Sequence, residues 1–206
     1  FARGRITDPV QAEEILASNQ ADMVSMVRAI IADPEFANKA REGRVDEIRK
    51  CLGCSEACWG AIYFGRAGGM SCVMNPAGGK EGEPGWGELI PAAVKKRVMI
   101  IGGGPAGLET ARVATLRGHQ VSLYDRGSEL GGQTLIAAKA PGRDGWLDLV
   151  RYYTHQMKLL NVDVHLNTEV TADMVKKQAP DVVVVATGSV PLIPRIPGIG
   201  GDNVVE

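Results

Sequence analysis

The stretch V-M-I-I-G-G-G-P-A-G, residues 98–107, decides the fold of the second half of this chain. Four consecutive apolar residues are typical of a central parallel strand that is covered on both faces. The glycines match the pattern G-x-G-x-x-G: Gly102 permits a tight turn, Gly104 lets the backbone approach a pyrophosphate, and Gly107 allows a helix to pack closely on the strand. The stretch therefore predicts a βαβ unit that binds a dinucleotide or another ADP-containing ligand.

The residues that follow support this prediction. A helix over residues 105–117 would point its N-terminal N–H groups at the pyrophosphate. A second strand over residues 121–125 ends in Asp125, about twenty residues after the glycines, where a carboxylate can accept hydrogen bonds from a ribose. The alternative for Asp125 is an acidic residue of a surface turn.

Two later segments favour FAD over NAD as the ligand. The motif L-G-G-Q at residues 130–133 lets the backbone approach the nucleotide again, and residues 181–188, D-V-V-V-V-A-T-G, predict a buried strand that ends beside the cofactor. The A-T-G ending resembles flavoprotein folds of the disulfide-reductase type. The alternative for Gly188 is an ordinary turn at the end of a strand. The cofactor-binding candidates of this unit are Gly102, Gly104, Pro105, Ala106, Gly107, Asp125, Arg126, Gly132, Gln133, Thr187 and Gly188.

All four cysteines lie within 22 residues, as C-L-G-C-S-E-A-C at 51–58 and, after thirteen further residues, Cys72. Three closely spaced thiols and a fourth that returns after a loop suit a [4Fe–4S] cluster held by four thiolates. Structural zinc more often uses two separated Cys-x2-Cys pairs or adds histidines, and the three histidines lie far downstream. Zinc and unligated thiols stay open as alternatives. The predicted metal ligands are Cys51, Cys54, Cys58 and Cys72.

Residues 1–45 carry alternating helix and strand signals. Asp8-Pro9 and Asp33-Pro34 each place a capping acid before a proline, which is typical of a helix start. Residues 21–27 predict a buried strand between these helices. This order indicates a parallel α/β sheet or barrel.

The rest of the chain divides by composition. Residues 46–80 are rich in glycine, and we expect this cysteine segment to be held by its metal ligands rather than by a core. Residues 81–95 predict a linker, and residues 96–206 predict the dinucleotide-binding domain. The chain opens at Phe1 without a methionine and stops at residues 203–206, where a strand would begin, so we expect an internal piece of a longer polypeptide.

The overall composition argues against several classes of protein. The chain has 23 basic and 24 acidic residues, a net charge of −1 and 5% aromatic residues, so nothing indicates a nucleic-acid partner. No stretch approaches eighteen consecutive apolar residues, and the N-terminus has no signal pattern, which predicts no membrane association and a cytoplasmic location.

Taken together, these segments resemble the old-yellow-enzyme-like iron–sulfur flavoproteins of the 2,4-dienoyl-CoA reductase and trimethylamine dehydrogenase type. The resemblance spans the chain. It is carried by the four cysteines, the three glycine motifs above, and the motifs G-R-I-T-D-P at 4–9, A-D-M-V-S-M-V-R at 21–28, A-D-P at 32–34 and N-P at 75–76.

The resemblance implies that residues 1–45 are the last βα units of an eight-stranded (β/α)8 barrel that binds FMN. Gly4 and the backbone of Val27 would line the FMN phosphate, Arg28 would contact it through charge-assisted hydrogen bonds, and Arg5 is a second candidate. The alternative for both arginines is a position on the surface.

The resemblance also implies an activity. In the reductases NAD(P)H reduces FAD, electrons pass through the cluster to FMN, and an activated C=C bond is reduced. In the amine and betaine dehydrogenases the substrate reduces FMN, the cluster passes electrons to an electron-transfer flavoprotein, and the second nucleotide site holds FAD or only ADP. The acid or base of either reaction would lie outside these residues, so no catalytic residue is predicted.

The sequence favours the reductase by a narrow margin. The C-x2-C-x3-C spacing and L-G-G-Q are typical of reductases, whereas the thirteen-residue gap before Cys72 and the G-W pair at 85–86 are more like the demethylating branch. The chain is therefore predicted to serve an oxidoreductase with a small-molecule substrate. A non-catalytic electron-transfer module and a zinc-bound structural protein are the alternatives of other classes.

Overall fold

The computed structural model describes residues 1–65, 69–190 and 192–202. The strand start expected at residues 203–206 lies outside these ranges. The N-terminal part contains β1 Ala2–Arg3, α1 Pro9–Ala17, β2 Val24–Ser25, α2 Val27–Ala32 and α3 Phe36–Arg41. The cysteine segment adds a 3₁₀ turn, Val45–Glu47, and α4, Trp59–Tyr63. The dinucleotide unit contains β3 Arg97–Ile101, α5 Pro105–Leu116, β4 Gln120–Tyr124, α6 Gln133–Ala137, a 3₁₀ turn Asp144–Trp146, α7 Leu147–Leu159, β5 Asp163–His165, α8 Ala172–Gln178 and β6 Val182–Val185.

In the N-terminal part, β1 and β2 form a parallel pair in which Ala2 lies opposite Val24. The helix α1 begins as predicted, because Asp8 accepts a hydrogen bond from the Val10 N–H at 2.8 Å. The buried strand predicted over residues 21–27 is wrong in length and burial. Only Val24–Ser25 is a strand, and the Met23 and Val27 side chains are 54% and 70% exposed. Within the described residues β2 has a single neighbouring strand, and the chain turns into α2 at Val27.

The helix predicted to start at Asp33-Pro34 begins later, at Phe36. The Asp33 carboxylate accepts a hydrogen bond from the Glu35 N–H at 3.0 Å, and the Asp33 carbonyl accepts one from the Phe36 N–H at 3.0 Å. Asp33 therefore forms a turn ahead of α3 rather than its N-cap.

The dinucleotide unit is a four-stranded parallel sheet with the strand order β5-β4-β3-β6. This order is that of a dinucleotide-binding half, in which the first strand of the unit is central. Met99 and Ile100 of β3 are fully buried, as predicted for this strand. The prediction that β6 is buried is wrong, since Val182 and Val184 are only partly buried against the core and Val183 and Val185 are 38% and 70% exposed. Among the described residues β6 is an edge strand whose second face has little cover.

The cysteine segment is joined to the dinucleotide unit by a common core. Met74 is 2% exposed and belongs to the same apolar cluster as Ile100 and Leu108, and Cys51 and Cys72 pack against that cluster. The expectation that metal ligands alone hold this segment is therefore wrong. Its apolar side chains are part of the core, although its backbone has little regular structure. Across the described ranges, none of the helices combines the length and apolar character needed to span a membrane.

A buried carboxylate connects α3 to the start of the cysteine segment. The Asp33 side chain is almost inaccessible and its Oδ2 accepts from Lys39 Nζ at 2.6 Å and from the Arg49 N–H at 2.9 Å. Lys39 Nζ also donates to the Glu47 carbonyl at 3.0 Å. A buried charge is tolerated only when it is paired and hydrogen-bonded, and these contacts meet that condition.

Replacing Asp33 with asparagine should therefore destabilise the protein by about 3 kcal/mol, because the half-buried Lys39 ammonium loses its counter-charge. Urea unfolding of the two proteins measures the difference. The matched control is Asp46→Asn in the exposed part of the nearby 3₁₀ turn, which should change the free energy of unfolding by less than about 0.5 kcal/mol. Equal effects of the two substitutions would contradict this account of Asp33.

Asp8 also pairs with Lys50, which joins α1 to the cysteine segment. Burial alone would raise the pKa of Asp8, but hydrogen bonds from Lys50 and the Val10 N–H outweigh it and hold the pKa below its ordinary value of 3.8. A carboxylate with a lowered pKa stabilises the fold above the unfolded-state pKa, and this contribution is lost as the pH falls through the folded-state pKa.

Asp8→Asn should thus cost less than about 1 kcal/mol at pH 6, and this difference from the wild type should shrink below about pH 4. Asparagine caps a helix about as well as aspartate, so the loss reports the charge. Unfolding curves for both proteins at several pH values test this. If the difference in free energy of unfolding between the two proteins grew as the pH fell, the pKa of Asp8 would not be lowered in the folded protein.

Candidate cofactor sites

A cleft of about 590 Å³ opens at the carboxyl ends of β1 and β2. The four residues predicted to contact FMN, namely Gly4, Arg5, Val27 and Arg28, all line this N-terminal cleft. Arg3 lines it as well, so three guanidinium groups provide positive charge that suits a phosphate. Asp144 and Asp148, from the dinucleotide unit, line the cleft as well.

The two arginine candidates differ in their surroundings. Arg28 is half-buried, and its Nη1 donates to the Ser55 hydroxyl at 3.1 Å, so its guanidinium contacts the cysteine segment. Arg5 is exposed, but its side chain lies against Gly53. Gly4 has a φ of +105°, a conformation that favours glycine. The structure brings the candidates together at one cleft, and their contacts to FMN stay a prediction.

All four cysteines line a second, smaller pocket, the cysteine pocket. They are half-buried free thiols, and the Gly53 N–H donates to Cys51 Sγ at 3.4 Å. Burial raises the pKa of the Cys72 thiol, although the nearby backbone N–H groups of Met74 and Asn75 oppose this shift. Negative charge on Cys51 and Cys58 would raise the pKa of Cys72 further.

The chemistry of the cysteine pocket fits an iron–sulfur cluster. Its potential ligands are four thiols, and its other walls are mainly apolar side chains such as Leu52 and Met74. In the parts of the chain that are described, no three His, Cys, Asp or Glu side chains are placed to hold a metal ion together. A cubane cluster takes one thiolate at each iron, so its ligands surround the site instead of meeting at one point.

The N-terminal cleft and the cysteine pocket share a wall. Arg28, Cys51 and Leu52 line both of them. The two candidate sites are therefore adjacent, and one of the residues they share is a predicted cluster ligand.

The glycine turn after β3 has the geometry that its sequence predicts. Gly102 has a φ of +113°, and a Cβ added there would lie 2.2 Å from the Ala186 carbonyl oxygen. A Cβ at Gly107 would lie 1.9 Å from the Gly102 oxygen, so α5 can pack this closely on the strand only if residue 107 has no side chain. A Cβ at Gly104, in contrast, would meet no atom within 4 Å. The space in front of Gly104 is open, as the approach of a pyrophosphate requires.

The other two glycine motifs lie beside this turn. The Gly131 N–H donates to the Gly103 carbonyl at 2.8 Å, and a Cβ at Gly132 would lie 3.1 Å from Gly104 Cα. Gln133 Nε2 donates to the Ser189 carbonyl at 2.6 Å, which ties the motif to the segment after β6. Thr187 and Gly188 are exposed in that segment, and so are Pro105 and Ala106 at the start of α5. The predicted nucleotide contacts thus surround the carboxyl ends of β3 and β6.

Asp125 has a structural function that the sequence did not indicate. Its Oδ2 accepts from the Gly103 N–H and its Oδ1 from the Gly127 N–H, both at 2.6 Å. The carboxylate therefore holds the glycine turn in place rather than lying free at a surface turn. Each oxygen keeps a lone pair, so contact with a ribose stays a prediction. Arg126 is exposed next to it.

Sequence reasoning did not find the buried polar residues beside the cysteine pocket. Arg49 contacts Asn75 and Tyr152 there through side-chain hydrogen bonds. The N-P pair at 75–76 was a signal of resemblance only, and an arginine two residues before a cysteine is not a known pattern. These contacts join residues that lie up to 103 positions apart, so they depend on the fold.

Comparison with known proteins identifies the two ends of the chain. Residues 96–206 match the pyridine nucleotide-disulphide oxidoreductase family, and residues 1–47 match the NADH:flavin oxidoreductase / NADH oxidase family. The NADH oxidase of Thermoanaerobacter brockii is 40% identical over 200 residues, which is 97% of this chain and 30% of that protein. The N,N-dimethylglycine/sarcosine dehydrogenase of Chromohalobacter salexigens is 39% identical over 96% of this chain and 28% of that protein.

A solved structure gives the same result. A 2-naphthoyl-CoA reductase in complex with 2-naphthoyl-CoA superposes with a TM-score of 0.91 at 38% identity, over 97% of this chain and 30% of that one. The chain spans about three tenths of the length of these relatives. The expected α/β fold, with part of an FMN barrel followed by a Rossmann-like domain, is confirmed. The chain belongs to the pyridine nucleotide-disulphide oxidoreductase family over residues 96–206 and, with the flavin oxidoreductase segment before it, to the old-yellow-enzyme-like iron–sulfur flavoproteins.

Proposed function

We propose that this chain serves an oxidoreductase in which electrons pass from NAD(P)H through FAD and a [4Fe–4S] cluster to FMN, where an activated C=C bond of a small-molecule substrate is reduced. The observation that carries this proposal is the wall of Arg28, Cys51 and Leu52 shared by the N-terminal cleft and the cysteine pocket. On its other side the cysteine segment packs into the core of the dinucleotide unit. The cysteine segment therefore contacts both the N-terminal cleft and the dinucleotide unit, which supports a path through the cluster.

The residues of this chain bind and orient the cofactors. In the cleft, Arg28 and Arg5 would hold a phosphate by charge-assisted hydrogen bonds. The four thiolates would hold the cluster, which supplies one-electron transfer when bound. At the glycine turn, the first N–H groups of α5 have no partner within the helix and would face a pyrophosphate. No described residue is assigned as a catalytic acid or base.

The second candidate is an amine or N-methyl-betaine dehydrogenase that delivers electrons to an electron-transfer flavoprotein. The thirteen-residue gap before Cys72 favours it, and so does the 39% identity to a protein named as a dimethylglycine/sarcosine dehydrogenase. In that case the nucleotide site beside Gly104 would hold FAD or ADP. The reductase is preferred because relatives of 40% and 38% identity are named as an NADH oxidase and a 2-naphthoyl-CoA reductase.

Two further alternatives are weaker. A non-catalytic electron-transfer module would have no need for Gly4 and Arg28 to line the same cleft. A zinc-bound structural protein would have no need for the glycine turn to stay open in front of Gly104. The cytoplasmic location and the absence of nucleic-acid and membrane partners stay predictions.

Anaerobic titration of the holoenzyme distinguishes the two candidate enzymes. We expect NADH or NADPH to bleach the flavin and to produce the electron paramagnetic resonance signal of a reduced cluster. A conjugated enoate or enoyl thioester should then restore the oxidised spectrum. Reduction by a methylated amine, with no response to either nicotinamide, would instead support the dehydrogenase.

The extracted cofactors provide an independent control. The reductase should release FMN and FAD together with equal amounts of iron and sulfide. FMN with ADP would favour the dehydrogenase, and zinc without sulfide would contradict the cluster. Both measurements are made on the holoenzyme, because the chain contains only part of the predicted FMN barrel.

Gly104→Ala tests the nucleotide site. Its φ of −77° suits alanine, and the added methyl group meets no protein atom, so the free energy of unfolding should change by less than about 1 kcal/mol. The methyl would occupy the approach of the pyrophosphate, so nucleotide affinity should fall at least about tenfold, equivalent to about 1.4 kcal/mol. The matched control is Gly82→Ala in the linker, where a Cβ also meets open space. Full nucleotide occupancy in both variants would contradict the assignment.

A further inference from the structure

Arg49 and Asn75 form a partly buried contact that closes the cysteine segment. Arg49 lies two residues before Cys51, and Asn75 lies three residues after Cys72. Arg49 Nη1 donates to Asn75 Oδ1 at 3.1 Å, so one hydrogen bond joins the two ends of the loop that carries the thiols. This pair is called the clasp.

Both members of the clasp are anchored to the N-terminal part. The Asn75 side chain is almost fully buried, and its Nδ2 donates to the Ile31 carbonyl at 2.9 Å, while its Oδ1 also accepts from the Ala77 N–H at 3.2 Å. The Arg49 N–H donates to Asp33 Oδ2 at 2.9 Å. A buried amide with these partners has one favourable orientation, because any other leaves a buried polar atom unpaired.

The clasp is also connected to the dinucleotide unit. Arg49 Nε donates to the Tyr152 hydroxyl at 2.9 Å, and Tyr152 lies in α7 within the core of that unit. Arg49 therefore uses two nitrogens in two directions, one toward the cysteine segment and one toward the dinucleotide unit. Only a guanidinium presents donors in such a fixed fork, and a lysine ammonium cannot make both contacts with the same geometry.

We propose that Arg49 is a positioning residue for the cluster. Through Asn75 it fixes the Cys51 and Cys72 ends of the segment relative to each other, and through Tyr152 it fixes both relative to the dinucleotide unit. The inference rests on the proposed function, since it concerns the cluster assigned there. Groups that orient metal ligands without touching the metal commonly change metal affinity, and they tune the reduction potential.

The test compares Arg49→Lys and Tyr152→Phe with the wild-type holoenzyme. The measurements are the rate of iron loss to a chelator and the reduction potential of the cluster, followed by electron paramagnetic resonance. Arg49→Lys keeps the charge but loses the fork, so iron loss should be about tenfold faster. The ratio of reduced to oxidised cluster at a fixed potential should change about threefold or more. Tyr152→Phe leaves the clasp and removes only its link to α7, so a smaller change of both quantities in the same direction is expected.

Tyr153→Phe is the matched control. Tyr153 is adjacent in α7 and equally buried, but its hydroxyl is hydrogen-bonded to Glu109, and Arg49 acts on it only through its charge. The Tyr153→Phe variant should lose iron at the wild-type rate and keep the wild-type reduction potential of the cluster. Wild-type behaviour of both Arg49→Lys and Tyr152→Phe would overturn the proposal, and so would equal changes in the two tyrosine variants, because they would indicate a general packing effect. A wild-type holoenzyme without iron and sulfide would overturn the proposed function as well, whereas a normal cluster with unaffected variants would overturn only the positioning role.

Discussion

The cysteine segment has little regular secondary structure, so its shape depends on the bodies to which it is attached. Between α3 and β3 the described residues form only one 3₁₀ turn and the five-residue helix α4. The apolar attachment is Met74, which is buried in the core of the dinucleotide unit. The polar attachment is Arg49, which hydrogen-bonds to Asn75 and Tyr152. A cluster site in a loop requires both, because thiols that move independently cannot present a fixed set of ligands.

A second constraint acts at the glycine turn, where β3, α5 and β6 approach one another closely. Gly102 and Gly107 leave no space for a side chain, whereas Gly104 faces open space, so the same motif serves packing at two positions and binding at one. Asp125 adds to this arrangement by accepting the Gly103 N–H. The carboxylate expected at a ribose thus fixes the loop expected at a pyrophosphate, and this hydrogen bond connects the two parts of the proposed nucleotide site.

Much of the dinucleotide unit could be predicted from the sequence, because the residues that signal its turn, strand and helix lie close together in the chain. Residues 98–107 predicted the central strand, its turn and its helix, since apolar runs and glycines act within a few residues. Burial of the strands at 21–27 and 181–188 was predicted wrongly, because burial depends on neighbouring strands that a single segment does not reveal. The predicted ligands were found around two pockets, but Arg49 was missed. Its partners are distant in sequence, and nothing in its immediate neighbours distinguishes it from a surface arginine.

The connection between the clasp and Tyr152 of α7 is polar, and this polarity has a consequence for the arrangement of the sites. A purely apolar joint between the cysteine segment and α7 would be stable in several similar arrangements, because apolar contacts are not directional. A half-buried guanidinium and a buried amide lose solvation, and they are tolerated only in an arrangement that satisfies their hydrogen bonds. Electron transfer between the N-terminal cleft and the dinucleotide unit would need a fixed separation of the sites more than it needs additional stability. A directional contact next to Cys51 and Cys72 would hold that separation more closely than an apolar contact of the same area.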